Sequence, residues 1–213
     1  MRIPARVTKV VVFVVVLLPL VRLLVLGFAN QLGANPVESV TRSTGTWTLV
    51  MLLVTLSVTP LRVLSGFSSL AALRRMLGLF AFFYAALHLL TFVWFEHWFN
   101  VAEMLTDVLK RPFVTAGMAA FLLMSALAAT STNAMIRRLG RRWQALHRLI
   151  YAIAALGVLH LWWAKAGKND LAQPRIYALM VALLLAFRFF QYARRRRARS
   201  RLQSSGGKRR SNA

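Results

Sequence analysis

The chain of 213 residues is strongly apolar and carries an unbalanced charge. Hydrophobic residues make up 58% of it and charged residues only 15%, and 28 Lys and Arg stand against 5 Asp and Glu, for a net charge of +23. Soluble domains are about 45–50% apolar and about 25% charged, and a chain of this length has too little interior to bury such an excess. The composition excludes a soluble enzyme and disfavours a nucleic-acid-binding protein, whose basic patch lies on an ordinarily polar surface. A multi-pass membrane protein remains.

Six apolar stretches are long enough, with their flanks, to cross a bilayer, which takes about 20 helical residues. They are Val10–Phe28, Trp47–Leu61, Met76–Phe95, Phe113–Thr130, Leu149–Ala164 and Ile176–Tyr192. Short polar connections rich in Gly, Pro, Asn and Ser separate them, and no window shows the sustained alternation typical of a β-barrel. The sequence therefore predicts an all-α bundle of six transmembrane helices.

Lysine and arginine are concentrated at alternate ends of these spans. If the N-terminus is cytoplasmic, twenty of the twenty-eight basic residues fall on the cytoplasmic side and all five acidic residues fall on the outer side. Cytoplasmic loops of membrane proteins are enriched in Lys and Arg. We therefore expect both termini to be cytoplasmic.

The C-terminal segment, residues 194–213, differs from the rest in composition. It begins with four consecutive arginines and contains nine basic residues and no acid. Such runs are typical of solvated tails attracted to anionic lipid, and docking of an acidic cytoplasmic partner is the alternative. The sequence thus predicts a transmembrane domain over residues 1–193 and a basic, disordered tail over residues 194–213.

The chain has no cysteine and four histidines. The histidines inside the spans are therefore the side chains that we consider as ligands of a metal or cofactor. His88 lies about 21 Å into the third span from its cytoplasmic end, and His160 lies about 20 Å into the fifth. Both spans run in the same direction, so the two imidazoles reach one level. Such a pair suits axial ligation of a haem iron between facing helices. A hydrogen bond between helices, a bare metal ion or a proton relay are the alternatives, although no intramembrane carboxylate accompanies the pair.

His147 marks a second level near the cytoplasmic end, where Arg74 and Arg75 also lie. Arg74 falls within about 40° of the helical stripe of His88, and its guanidinium suits a haem propionate or a flavin phosphate. The spacing of thirteen residues leaves His147 and His160 about 140° apart on an ideal helix. Either this helix is kinked or His147 faces a different partner.

Three further charged or titratable residues receive plainer interpretations. His97, at the outer end of the third span, is interpreted as a surface residue in an interfacial setting. Arg22 and Arg188 lie inside spans, and we expect both side chains to extend to the membrane surface. A contact with a haem propionate is the alternative for Arg22.

Several strings of residues at the ends of the spans and in the connections are distinctive. They are Asn35-Pro36-Val37-Glu38, Ser43-Thr44-Gly45-Thr46-Trp47, Thr59-Pro60-Leu61-Arg62, Arg74-Arg75-Met76-Leu77-Gly78-Leu79, Arg111-Pro112-Phe113, Thr130-Ser131-Thr132-Asn133-Ala134-Met135 and Leu139-Gly140-Arg141-Arg142-Trp143-Gln144-Ala145-Leu146-His147. Together they resemble the MsrQ (YedZ) family, whose members are haem-binding membrane subunits of a bacterial periplasmic methionine-sulfoxide reductase system. The resemblance covers roughly residues 10 to 190.

This resemblance implies a ferric-reductase-like transmembrane fold in the bacterial inner membrane, with one or two b-type haems and FMN as a further cofactor. It places His88, His147 and His160 on haem-ligand positions and Arg74 and Arg75 on the family's basic pair. Members of the wider group carry two histidines in each of two helices. In this chain an arginine stands where the second histidine of the third span would lie, so the resemblance does not supply the ligands of a second haem.

The resemblance also implies a direction of electron flow, from the cytoplasmic or quinone side to a soluble periplasmic molybdopterin subunit that reduces methionine sulfoxide in envelope proteins. Because the chain has no G-x-G-x-x-G phosphate loop, a quinone or a cytoplasmic flavin reductase is expected as the donor. No side chain is assigned as a catalytic acid, base or nucleophile, so we expect an electron-transfer subunit. The alternatives are a stand-alone ferric or quinone reductase of the same fold and a cofactor-free membrane scaffold or transporter.

Overall fold

A computed structural model describes residues 5–167 and 169–211, and all regular secondary structure in these residues is helical. The α-helices are α1 (Ala5–Phe28), α2 (Pro36–Ser65), α3 (Arg74–Thr91), α4 (Val101–Lys110), α5 (Pro112–Ala129), α6 (Asn133–Leu139), α7 (Arg141–Leu146), α8 (Ile150–Ala166) and α9 (Ala172–Ser211). A 3₁₀ turn precedes α3, a π turn follows it, and a second 3₁₀ turn joins α7 to α8; these are Ser68–Leu73, Phe92–Glu96 and His147–Leu149.

Six helical segments within the described residues are long and apolar enough to cross a membrane. They are Arg6–Phe28, Pro36–Ser65, Ser68–Glu96, Pro112–Ala129, Arg141–Ala166 and Ala172–Arg194. Each contains or closely matches one predicted stretch, so the all-α fold with six transmembrane helices is confirmed. The largest extension is in α2, which begins at Pro36 because the Asn35 side chain accepts a hydrogen bond from the Glu38 N–H and caps the helix.

The core lies where α2, α3, α5 and α8 meet. Leu52 of α2, Ala81 and Tyr84 of α3, and Ile153 of α8 are all buried there. By contrast α1 and the membrane part of α9 lie at the periphery and expose apolar side chains such as Val10 and Leu183. Such faces are satisfied by lipid, so the central four helices are the ones that position a site.

The loops collect at two ends of the bundle, since successive spans run in opposite directions. We call one end the acid-bearing end, because the start of α2, the end of the π turn, α4 and the connection before α9 hold all five acidic residues. The other is the arginine end, formed by the end of α2, the start of α3, α6, α7 and the later part of α9. Residues 194–211 of α9 belong to the segment predicted as a basic tail. The division of the chain into a membrane domain and this tail stays a prediction.

Helix α4 is an element that the hydropathy pattern did not predict. Its exposed residues Val101, Leu105 and Leu109 are four positions apart and share one face. Helices with one apolar face lie in the membrane interface rather than across the bilayer. We therefore place α4 along the membrane surface at the acid-bearing end.

The Tyr84 hydroxyl ties α3 to the peripheral helix α1. Tyr84 is 1% exposed and donates a hydrogen bond to the Val16 carbonyl at 2.7 Å. We expect Tyr84→Phe to remove about 1 kcal/mol of stability, lowering Tm by about 2–4 °C in detergent-purified protein. Tyr192→Phe, the same change at an exposed position, is the control. Equal melting temperatures for the two variants would contradict the structural role of this bond.

Candidate functional site

His88 on α3 and His160 on α8 face each other inside the bundle. Their ring centroids are 5.9 Å apart and the ring planes are inclined at 78°. The expectation that the two histidines reach one level is therefore confirmed. Both rings are half-buried and line a cavity of about 550 Å³, whose wall also includes Leu52, Phe121 and Ile153.

Each imidazole donates a hydrogen bond from Nδ1 to a backbone carbonyl of a neighbouring helix. The His88 Nδ1 lies 3.0 Å from the Thr41 carbonyl oxygen of α2, and the His160 Nδ1 lies 2.6 Å from the Phe113 carbonyl oxygen of α5. A carbonyl only accepts, so Nδ1 carries the proton and the lone pair on Nε2 is free. This is the form in which histidine ligates a metal, and the outer hydrogen bond both orients the ring and raises its basicity.

A glycine lies against each ring, four residues after the carbonyl that the ring contacts. A Cβ at Gly45 would lie 3.0 Å from Cε1 of His88, and a Cβ at Gly117 would lie 2.8 Å from Nδ1 of His160. A side chain at either position would push the ring away from the carbonyl of the preceding helical turn. The absence of a Cβ at these two positions is therefore what lets the imidazoles reach their acceptors.

The two halves of the site repeat with identical spacing. Thr41, Gly45 and His88 form the first half. Each has its counterpart in the second half 72 positions later along the chain, namely Phe113, Gly117 and His160. The sequence analysis missed this pattern and both glycines. The available signal was a glycine 43 positions before each histidine, just before the second predicted stretch and inside the fourth.

The separation of the rings suits one metal ion with two axial imidazoles. An imidazole nitrogen lies about 2 Å from the metal it ligates, so rings on opposite sides of one ion have centroids about 6 Å apart. The observed 5.9 Å agrees with that requirement. The cavity volume of about 550 Å³ also falls within the range of about 300–1,000 Å³ found for ligand and cofactor pockets.

The cavity is apolar at its centre and charged towards the acid-bearing end. Arg42, Glu96 and Lys165 line that part of it. The Lys165 ammonium donates to Asp170 at 2.6 Å, and this hydrogen bond and ion pair lower the pKa of the Asp170 carboxyl below its ordinary value. Charges of both signs therefore surround the cavity at this end.

His147 lies at the arginine end, away from the cavity. It belongs to the 3₁₀ turn before α8, its ring stacks on Trp143 at 4.0 Å between centroids, and its Nε2 lies 3.2 Å from the Thr130 hydroxyl. Because His147 is outside α8, the angle expected on an ideal helix does not apply. Of the two alternatives, a different partner for His147 is the one observed.

The structure separates the two arginines that the sequence placed together. Arg74 donates to the Thr59 hydroxyl of α2 at 2.6 Å, whereas Arg75 donates to the Asn133 side chain at the start of α6. Arg75 and His147 therefore contact the same connection, residues 130–133, while Arg74 faces α2.

Two residues interpreted as facing water or lipid are held within the protein. His97 is only 9% exposed, packs against Phe92, and has its Nε2 3.2 Å from an Asp107 carboxylate oxygen. The surface interpretation of His97 is wrong because α4, which was not predicted, covers it. Arg188 donates to the Tyr151 hydroxyl and the Leu56 carbonyl, so its expected extension to the membrane surface is also wrong. Arg22 is exposed on α1, and its extension to the membrane surface stays a prediction.

Residues 44–158 match the family model described as ferric reductase like transmembrane component. Over 183 residues the chain is 59% identical to the protein-methionine-sulfoxide reductase heme-binding subunit MsrQ of Herminiimonas arsenicoxydans, a match covering 85% of this chain and 84% of that relative. The subunit of the same name from Bordetella pertussis is 57% identical over 190 residues, which cover 89% of this chain and 92% of the relative.

The subunit of this name from Rhodospirillum rubrum is 47% identical over 194 residues, covering 91% of this chain and 92% of the relative. No solved structure matches the chain. With half of the chain matched by the family model and most of it aligned to these relatives, the chain belongs to the MsrQ family of ferric-reductase-like transmembrane proteins.

Proposed function

We propose that this protein carries electrons through a haem held between His88 and His160 to a partner subunit that reduces methionine sulfoxide. The observation that carries this proposal is the pair of facing imidazoles with their Nδ1 protons tied to backbone carbonyls. The name shared by the relatives, heme-binding subunit of a protein-methionine-sulfoxide reductase, supports both the cofactor and the reaction that it serves.

A bound haem supplies a centre that takes up and releases single electrons, with a potential set by its axial ligands and surroundings. The chain supplies the two imidazoles, fixes their orientation and surrounds them with a mostly apolar wall. We propose a b-type haem, because the chain has no cysteine to attach the group covalently.

We further propose that the acid-bearing end faces the periplasm and that the protein lies in the bacterial inner membrane. The concentration of Lys and Arg at the opposite end supports this orientation. His88 and His160 are closer along their helices to the acid-bearing end, which suits delivery to a periplasmic molybdopterin subunit. A quinone or a cytoplasmic flavin reductase would act as the donor.

The arginine end provides a second proposed cofactor position. His147 and Arg75 both contact the connection 130–133, through Thr130 and Asn133. We propose that this group holds an inner haem or the FMN. A haem content of one per chain, with haem and flavin both unchanged in His147→Ala, would contradict this part of the proposal.

The haem site is tested by removing each ligand in turn. We expect His88→Ala and His160→Ala each to abolish the reduced α-band of the purified protein, because one remaining imidazole cannot hold the iron axially from both sides. A pyridine haemochrome assay on the same preparations measures the haem content. His97→Ala is the matched control, since His97 is a buried histidine outside the cavity, and it should retain the band. A colourless wild-type protein from haem-sufficient cells would contradict the proposal.

The space that Gly117 leaves beside the His160 ring gives an independent test in which both ligands stay in place. We expect Gly117→Ala to displace the His160 ring from the Phe113 carbonyl and to weaken haem binding by about 10–100-fold, as found for the loss of outer hydrogen bonds at metal sites. Haem titration into the apoprotein measures this change. Gly78→Ala is the control, because a Cβ there meets its nearest atom at an ordinary 3.9 Å. Equal haem affinity of the two variants would show that haem binding does not require the space beside the His160 ring.

The absence of cysteine from the chain makes its orientation directly measurable. Lys110→Cys at the acid-bearing end and Ser69→Cys at the arginine end both introduce exposed thiols. We expect a membrane-impermeant maleimide to label Lys110→Cys in spheroplasts and to label Ser69→Cys only after permeabilisation. The reverse pattern would overturn the proposed orientation.

A further inference from the structure

Three charged side chains line the cavity at the acid-bearing end, and one of them lacks a partner. Arg42 pairs with Glu38 at 2.7 Å, and Lys165 pairs with Asp170 at 2.6 Å. Glu96 is the only carboxylate among the described residues of the wall, and within these residues its side chain makes no ion pair and no hydrogen bond. Since each of the two pairs is neutral, an ionised Glu96 adds an unbalanced negative charge to the cavity.

A π turn brings Glu96 to this wall. His88 and Glu96 are eight residues apart in one span, and on an ideal α-helix they would lie about 80° apart around the axis. The π turn Phe92–Glu96 ends the span, and its hydrogen bonds from residue i to residue i+5 place more residues in each turn. The smaller rotation per residue returns Glu96 towards the face of His88, and Phe92 and Glu96 both line the cavity. Such turns are frequent at functional sites.

The charged groups nearest to Glu96 outside the cavity wall are engaged with one another. His97, Asp107 of α4 and Arg111 at the start of α5 are the charges that act on Glu96. An Asp107 carboxylate oxygen lies 3.2 Å from the His97 Nε2 and 3.2 Å from the Arg111 guanidinium, and Glu103 lies 3.8 Å from the His97 Nδ1. Within the part of the chain that the structure describes, Glu96 therefore has no counter-charge of its own.

We propose that Glu96 takes up one proton when the haem of the proposed function is reduced and releases it when the haem is oxidised. One electron passes from the donor to the iron, and one proton passes from water to a carboxylate oxygen of Glu96. The total charge of the cavity then stays constant. Glu96 is exposed at the end of its span, so water at the acid-bearing end can supply the proton. The inference rests on the proposed function, because it requires a haem between His88 and His160.

The coupling follows from the electrostatics of an apolar cavity. Two unit charges about 10 Å apart, at an effective dielectric constant of about 20, change each other's binding equilibria by about tenfold. An electron on the iron therefore raises the proton affinity of Glu96, and an ionised Glu96 lowers the electron affinity of the iron. The haem midpoint potential should fall as the pH rises through the range in which Glu96 titrates, and it should be constant above and below that range.

Spectroelectrochemical titration of the purified holoprotein between about pH 4 and about pH 9 measures this coupling. The reduction equilibrium constant of the wild type should fall by about tenfold across this range, which is about 59 mV for one electron. In Glu96→Gln the potential should be nearly independent of pH. It should equal the wild-type value at the lowest pH and exceed it by the same tenfold factor at the highest, because the variant never carries the negative charge.

Two further variants separate the carboxyl group from general effects of substitution. Glu103→Gln makes the same chemical change at an exposed glutamate of the same end that lies outside the cavity, and it should keep the wild-type pH dependence. Glu96→Asp keeps a carboxyl group at the wall and should also keep a fall of the potential with rising pH.

Infrared difference spectra of the reduced and oxidised protein identify the proton acceptor directly. Reduction of the wild type should produce the C=O stretching band of a protonated carboxyl group, which moves to lower frequency in D₂O. This band should be absent from Glu96→Gln and present in Glu103→Gln.

Three results would overturn the proposal while leaving the haem site intact. The first is a haem-loaded wild type whose potential does not depend on pH. The second is a pH dependence that persists in Glu96→Gln and disappears in His97→Gln, which would assign the proton to the neighbouring imidazole. The third is a pH dependence that persists in both variants, which would assign it to the haem propionates. A preparation without haem would instead contradict the proposed function itself.

Discussion

The hydrogen bond between an imidazole Nδ1–H and a backbone carbonyl of the neighbouring helix is the interaction on which the proposed centre depends. It fixes which nitrogen carries the proton, leaves the lone pair of Nε2 available and orients the rings of His88 and His160, whose centroids are 5.9 Å apart. Gly45 and Gly117 leave room for the rings at these acceptors. The same arrangement occurs twice with equal spacing, so both ligands are oriented by one local device.

A second constraint is the separation of charge between the two ends of an apolar bundle. At the acid-bearing end, cationic groups have carboxylate partners, as Lys165 has Asp170 and Arg111 has Asp107. The arginine end has no acids, and there Arg74 and Arg188 bind hydroxyls and a carbonyl instead. The asymmetry that favours one orientation in the membrane therefore also leaves these arginines with neutral hydrogen-bond acceptors among the described residues.

Hydropathy and helix geometry were enough to predict the six spans and the common level of the two histidines, because both depend only on the rise along a helix. The roles of Gly45 and Gly117 escaped prediction because a glycine's function there is set by a ring on another helix. Helix α4 escaped prediction because its ten residues are of mixed polarity and too few to give the hydropathy signal of a membrane span. The burial of His97 escaped prediction as well, since α4 covers this side chain. Arg188 was misinterpreted because its acceptor, Leu56, is 132 positions away in the chain.

Electron paramagnetic resonance of the oxidised, purified holoprotein tests the central claim most directly, since it reports the axial ligands of the haem iron and the relative orientation of their planes. With two imidazole ligands inclined at 78°, the account predicts a low-spin signal with a wide spread of g values. A high-spin signal, or a low-spin signal with the narrow spread of parallel imidazoles, would contradict ligation by His88 and His160 as the structure positions them.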